Sequence, residues 1–274
     1  MGETNINVTE IWLSGELRIT AYVAEDCYNQ TGWRIDNNIP WFRLPNFPVS
    51  NTRNKFTAIG CDTYAMIWGS SETTYTTGCI SLCADKKDVV ERSCSGIGSL
   101  DFNNFNISVR SYNNHETVWD FNPCSYAFVV EEGAYKFSIQ DLRDFTNRTI
   151  ETLVVLNWAI GDQNCSEAKK DLENYACTSK DNRTVCLDSN NGKGYYCSCS
   201  KGFEGNRYLP DGCQDIDECQ NATLSLCAQK CTNYNGTYEC SCEPGYEGDG
   251  KSDGTGCRRK PSTLIVRVAL GEKH

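Results

Sequence analysis

The chain has 274 residues, a formal net charge of −10, 18 cysteines and only two histidines. That length admits one medium domain with smaller ones beside it. The acidic balance argues against a broad nucleic-acid-binding face, and the shortage of histidine leaves almost no Ser-His-Asp or Cys-His constellation.

The cysteines fall into three blocks of six: Cys27, Cys61, Cys79, Cys83, Cys94 and Cys124; then Cys165 to Cys213; then Cys219 to Cys257. An even number in each block is what closed disulfide sets produce, and disulfides persist in oxidising compartments. Spacings such as Cys197-x-Cys199 and Cys240-x-Cys242 are too tight for the usual zinc pairs. Eight asparagines head Asn-x-Ser/Thr acceptors: Asn7, Asn29, Asn106, Asn147, Asn164, Asn182, Asn221 and Asn235. Together these features predict an extracellular glycoprotein. MGETNINVTEIW at the start lacks the features of a signal peptide, and STLIVRVALGEKH at the end falls short of the ~20 residues of a membrane span. The chain therefore reads as a fragment, an engineered expression form or a truncated gene product.

In chain order, residues 1–161 are expected to be β-rich. NINVTEIWL, ELRITAYVA, FNISVRSY and CSYAFVVEE alternate apolar and polar residues and are dominated by Val, Ile, Thr and aromatics. GWRIDNNIPWFRLPNFPVSNTRN, with its Pro and Asn residues, reads as a long loop or edge region. Short helices are expected at ADKKDVVERS and SIQDLRDF, and TLVVLNWAI as a buried strand closing the domain. After residue 161 the apolar periodicity disappears. CSEAKKDLENYAC has room for a helical turn or two; the remainder predicts loops and small hairpins. Such a segment cannot build a core and depends on covalent staples, each contributing ~2–4 kcal/mol.

Two stretches repeat. Cys197-Ser198-Cys199 leads to Gly202-Phe203 and ends at Cys213; Cys240-Ser241-Cys242 leads to Gly245-Tyr246 and ends at Cys257. This pattern resembles the epidermal-growth-factor-like (EGF-like) module. The resemblance implies pairing of first cysteine to third, second to fourth and fifth to sixth: Cys165–Cys186, Cys177–Cys197 and Cys199–Cys213, then Cys219–Cys231, Cys227–Cys240 and Cys242–Cys257. Sequence alone permits 15 pairings of any six. The second module opens Asp215-Ile216-Asp217-Glu218-Cys219 and resembles the calcium-binding subclass. A hard cation such as Ca²⁺ takes six to eight oxygens. The resemblance implies side-chain ligands at Asp215, Glu218 and Asn233, carbonyl ligands at Ile216, Tyr234 and Thr237, and an aromatic at Tyr238 that packs on a neighbouring module. The first module has Asp162-Gln163-Asn164-Cys165 instead, and calcium is not expected there.

FTAIGCDTYAMI, GCISLC, CSGIG, FNISVRSY, CSYAFVVEEG and VVLNWAIGDQNC are similar to the galacturonan-binding extracellular domain of plant wall-associated receptor kinases, and KGYYCSCSKGFEGNRYLPDGCQDIDEC continues that ectodomain. The family's N-terminal cysteine-rich segment and its paired Cys-Cys after CSGIG have no counterpart, so the pairing of the first six cysteines stays open. The resemblance implies a mainly β, disulfide-rich fold. It would comprise a galacturonan-binding domain at 1–161, EGF-like modules at 162–213 and 214–257, and a tail at 258–274. It also implies an apoplastic location, with a single-pass plasma-membrane anchor and a cytoplasmic Ser/Thr kinase in a full-length member.

The implied partner is pectin, as de-esterified homogalacturonan, a polyanion. Arg18, Arg34, Arg43, Arg53, Lys55 and Arg110 are the candidate cations to face it, because arginine matches planar carboxylates with paired hydrogen bonds. Trp33, Trp41, Phe42 and Tyr64 are candidate stacking partners. The alternative is a docking or spacer module for extracellular proteins or peptides, with no carbohydrate ligand. No HExxH or P-loop is present, and no local motif singles out a carboxylate pair for glycoside cleavage, so no enzyme is expected in this chain.

Overall fold

A computed structural model describes residues 6–44, 46–70, 74–89, 104–145, 152–179, 181–190, 193–221 and 223–261. The chain separates into two compact units. One comprises residues 1–176 with 186–196, and the other comprises 177–185 with 197–274. The division runs through the first cysteine-rich module.

The first unit is built from β1 (Val8–Trp12), β2 (Glu16–Ala21), β3 (Ala24–Tyr28), β4 (Arg34–Asn38), β5 (Trp41–Arg43), β6 (Asn54–Ile59), β7 (Thr63–Ser70), β8 (Thr74–Ser81), β9 (Asn104–Ser111), β10 (Cys124–Glu131) and β11 (Thr152–Asn157). They form three sheets, ordered β1-β2-β11, β4-β3-β10-β6 and β5-β9-β7-β8. Among the described residues, each of these ladders is antiparallel. The alternation expected from sequence is realised: β2 buries Leu17, Ile19 and Ala21, and β9 buries Phe105, Ile107 and Val109. These side chains meet Ala24, Phe56, Ala127 and Val129 in one core shared by the three sheets.

β10 departs from simple alternation. Ala127 and Val129 enter that core, while Tyr126, Phe128 and Val130 enter a second core with Val118, Leu142 and Phe145. A strand covered on both faces explains its unbroken apolar run. The helix expected in SIQDLRDF is α1 (Asp141–Asp144), which places Leu142 in this second core. The helix expected in ADKKDVVERS is a 3₁₀ turn at Lys86–Asp88, and its later residues lie outside the described ones. The region read as loop or edge supplies β4 and β5, each at a sheet edge. Strand pairing there recruits residues whose own propensity is weak.

Cys27 bonds Cys124 across β3 and β10, and Cys61 bonds Cys83. Cys79 is also disulfide-bonded, and Cys94 lies outside the described residues. In the cysteine-rich part, α2 (Cys165–Ala168) is capped by the Asn164 side chain, which accepts from Glu167 N. β12 (Thr184–Asp188) pairs with β13 (Tyr195–Cys199), β14 (Phe203–Gly205) with β15 (Cys213–Asp215), β16 (Lys230–Tyr234) with β17 (Thr237–Ser241), and β18 (Tyr246–Glu247) with β19 (Arg258–Arg259). Both modules pair first to third, second to fourth and fifth to sixth cysteine.

Candidate functional site

The acidic entry to the second module divides its labour. Asp217 caps the 3₁₀ turn Glu218–Gln220, accepting from Cys219 N and from Gln220 Nε2. Asp215, at the end of β15, accepts from Asn233 Nδ2 at 2.8 Å and from Gly236 N at 2.5 Å. Those bonds, the backbone one from Gly236 foremost, hold its carboxyl below the ordinary aspartate range. With its amide nitrogen turned to Asp215, Asn233 leaves Oδ1 buried and without a hydrogen-bond partner. Glu218 is also buried, and its Oε2 likewise lacks a partner.

Two buried, unpartnered acceptors, one of them next to the Asp215 carboxylate, are costly unless a donor or a cation serves them. All three belong to hard oxygen donors, the class that suits Ca²⁺. The 3₁₀ turn packs against β16 and β17, which brings Glu218 to the hairpin that carries Asn233. Tyr234 and Thr237 are the last register pair of that hairpin, flanking the turn Asn235-Gly236. Ile216 O accepts from Glu218 N and Ile216 N donates to Gly202 O. The residues present therefore fit a calcium site. The grouping of three His, Cys, Asp or Glu donors close together among the described residues, Glu25 with Cys27 and Cys124, is spent because both sulfurs are in one disulfide.

The Tyr238 hydroxyl donates to Leu224 O and accepts from Leu226 N, inside its own module. A close approach between modules falls at Gly202, where an added Cβ would lie 2.1 Å from Gly236 O, and at Gly236, where it would lie 2.7 Å from the Phe203 ring.

The six candidate cations are not one patch. Arg18 and Arg53 converge on Glu131, Arg18 also meets Glu10, and Arg53 also meets Glu16. Burial alone would raise the Glu131 carboxyl, but hydrogen bonds from both arginines outweigh it and hold it below its usual range. Arg34 pairs with buried Asp26, and Lys55 with Glu132. Arg43 and Arg110 have no ion pair among the described residues, and both lie on the β5-β9-β7-β8 sheet. A cavity of about 720 Å³ is lined by Lys55 and Lys136 together with Asp88, Glu131 and Glu132, so its charges largely cancel.

Among the candidate aromatics, Phe42 is a correction. It is 4% exposed and stacks on Phe105 at 4.5 Å within the core. Trp33 and Trp41 are exposed, and Tyr64 tilts against Tyr112 at 4.8 Å. Trp68, passed over in the sequence, is exposed on the same sheet. The alternation of TYAMIWGS signals that Tyr64 and Trp68 share a face, but not what stands beside them. Of the glycan acceptors, Asn7, Asn164, Asn182, Asn221 and Asn235 are exposed, Asn29 and Asn106 are half-buried, and Asn147 lies outside the described residues.

His115 Nε2 lies 2.9 Å from Ser125 Oγ, but both residues are 0% exposed, so no substrate reaches the pair. Among the described residues, no helix is long and apolar enough to cross a membrane.

Residues 215–257 match the calcium-binding EGF domain family. The chain is homologous to wall-associated receptor kinases of Arabidopsis thaliana. It is 38% identical to wall-associated receptor kinase 2 over 242 residues, which is 85% of this chain and 32% of that protein. It is 39% identical to wall-associated receptor kinase 5 over 227 residues, 79% of this chain and 29% of that protein. Wall-associated receptor kinase 3 is 32% identical over 254 residues. The chain thus spans about a third of the length of these relatives. No solved structure matches it. The homology and the disulfide content mark the chain as extracellular.

Proposed function

From this homology to wall-associated receptor kinases, we propose that the chain is the ligand-facing part of a wall-sensing receptor. Its β-rich unit binds de-esterified homogalacturonan, and its last module holds one Ca²⁺. The observation that carries the calcium reading is the pair of buried, unpartnered oxygens, Glu218 Oε2 and Asn233 Oδ1, the second on the side chain that donates to the Asp215 carboxylate. Asp215, Glu218 and Asn233 would hold the ion through side chains, and Ile216, Tyr234 and Thr237 through carbonyls. Bound there, the ion supplies a positive centre that ties the entry segment to the module body. Asp215 already joins β15 to the β16–β17 turn through Gly236, and this prepares the same linkage.

The pectin reading is supported by the kinship with proteins named for the wall and by unpaired arginine on an exposed sheet. The test uses the chain secreted through an oxidising pathway, with isothermal titration of Ca²⁺ and then of de-esterified and methyl-esterified oligogalacturonides, with and without chelator. Saturable binding of the de-esterified form alone supports the reading. A folded, fully oxidised sample that binds neither sugar overturns it.

A further inference from the structure

The outward face of the β5-β9-β7-β8 sheet combines three properties. First, it is aromatic and open. Trp41 on β5 and Trp68 on β7 both stand opposite Asn106 on β9, so the two indoles flank one asparagine on one face. They are 64% and 39% exposed, while the intervening inward residues Phe42, Phe105 and Ile67 are buried. Two strand spacings separate the tryptophan positions by about 10 Å, roughly the span of two pyranose rings. Tyr64, four residues along β7 from Trp68, shares that face to one side of the row.

Second, charge is segregated. The four strands contain no Asp or Glu in a chain with 36 of them, yet they contain Arg43 and Arg110. Arg110 stands opposite Tyr64. The nearest acid in sequence, Asp62, is turned inward and bonded to Ser111 Oγ, Asn113 N and His115 N. Third, Asn106, between the two indoles, has a side-chain Oδ1 that is buried with no hydrogen-bond partner.

We infer that this sheet face is the saccharide site, with an acidic oligosaccharide lying across the strands. Its ring faces stack on Trp41 and Trp68, and its carboxylates face Arg43, two residues along β5 on one side of that line, and Arg110, four residues along β9 on the other. The site rests on the proposed pectin reading and deepens it. It differs from the basic cluster around Glu131, where the cations are neutralised by the chain's own acids. Aromatic planes suit the apolar faces of sugars, and the guanidinium fork suits carboxylates. A rigid sheet holds both at fixed spacing. Because Asn106-Ile107-Ser108 is a glycan acceptor, a glycan attached there would cover the same platform.

The experiment titrates the secreted, oxidised 274-residue chain with de-esterified oligogalacturonide. Trp41→Ala, Trp68→Ala and the Arg43→Ala/Arg110→Ala pair are each expected to weaken binding at least about tenfold. The arginine pair should also flatten the salt dependence, and Ile11→Ala, exposed on β1 in another sheet, should change nothing. In the unmutated chain, the sugar should shield Trp41 and Trp68, but not Trp33, from N-bromosuccinimide oxidation mapped by mass spectrometry. If the unmutated chain binds and all these variants bind equally with no shielding, the site is elsewhere and this inference falls while the pectin reading stands. If the unmutated chain does not bind, both fall. A binding-competent sample carrying a glycan at Asn106 overturns the platform.

Discussion

Asp215 accepts the backbone N–H of Gly236 at 2.5 Å, which ties β15, the strand at the junction of the two cysteine-rich modules, to the β16–β17 hairpin turn. The same carboxylate orients Asn233, whose freed oxygen is buried and unpartnered. The modules are thus joined through the residues proposed to hold calcium.

Calcium affinity should separate the acids of the entry segment. Glu218→Gln and Asn233→Ala are expected to lower it by about ten- to a hundredfold, the range seen when supporting groups of a metal site are removed. Asp217→Ala removes only a cap and should cost ~1 kcal/mol of stability with little change in affinity. Isothermal titration against chelator-buffered Ca²⁺, alongside urea unfolding, reads both. Equal affinity for all variants would place the ion elsewhere.

Gly202 and Gly245 have nearly the same backbone, with φ +85° and +91°, but different surroundings. Alanine at either carries the left-handed penalty of about 1–2 kcal/mol. At Gly202 it also drives a methyl into Gly236 O, whereas Gly245 has nothing within 4 Å. Gly202→Ala should therefore be the more destabilising in denaturant unfolding and should also weaken calcium binding. Equivalent losses would remove the steric argument.

Acid should loosen the β-rich unit in two stages. Burial lowers the His115 pKa, outweighing the neighbouring Asp62 and Asp26, so the unfolded chain takes up the proton more readily. Stability is complete above the unfolded value near 6.5 and falls as pH drops below it, by at most about 1.4 kcal/mol per pH unit. Glu131, held low by Arg18 and Arg53, contributes above its unfolded value near 4.3 and is lost as pH falls through its folded value. His115→Asn, chosen because asparagine tolerates the positive φ of 58°, should abolish the first stage and leave the second. Thermal unfolding at stepped pH shows whether the slope below about 6.5 vanishes.

Cys27–Cys124 closes 97 residues, and Cys61–Cys83 closes 22. If loop closure in the unfolded chain dominates, replacing the first pair by alanine should cost about 4–5 kcal/mol and the second about 3. Differential scanning calorimetry of the two double variants tests that order, and a reversed order would point to packing instead.

The sequence by itself determined the class of this protein. Cysteine number and spacing define small stapled modules because little else can hold so few apolar residues together. Two-residue alternation in ELRITAYVA and FNISVRSY shows strands because one face must be buried. The proposed calcium residues Asp215, Glu218 and Asn233 were legible through the resemblance, at fixed spacings from cysteines whose pairing fixes the local backbone. Only the tertiary structure decided which cations are free. Arg18 meets Glu131 across 113 positions, a separation that leaves no local trace in the sequence. It also sent Phe42 into the core beside Phe105 and set Trp41 and Trp68 on either side of Asn106. Those neighbours are made by strand order and register, which depend on how separate segments pair and not on the composition of any one of them.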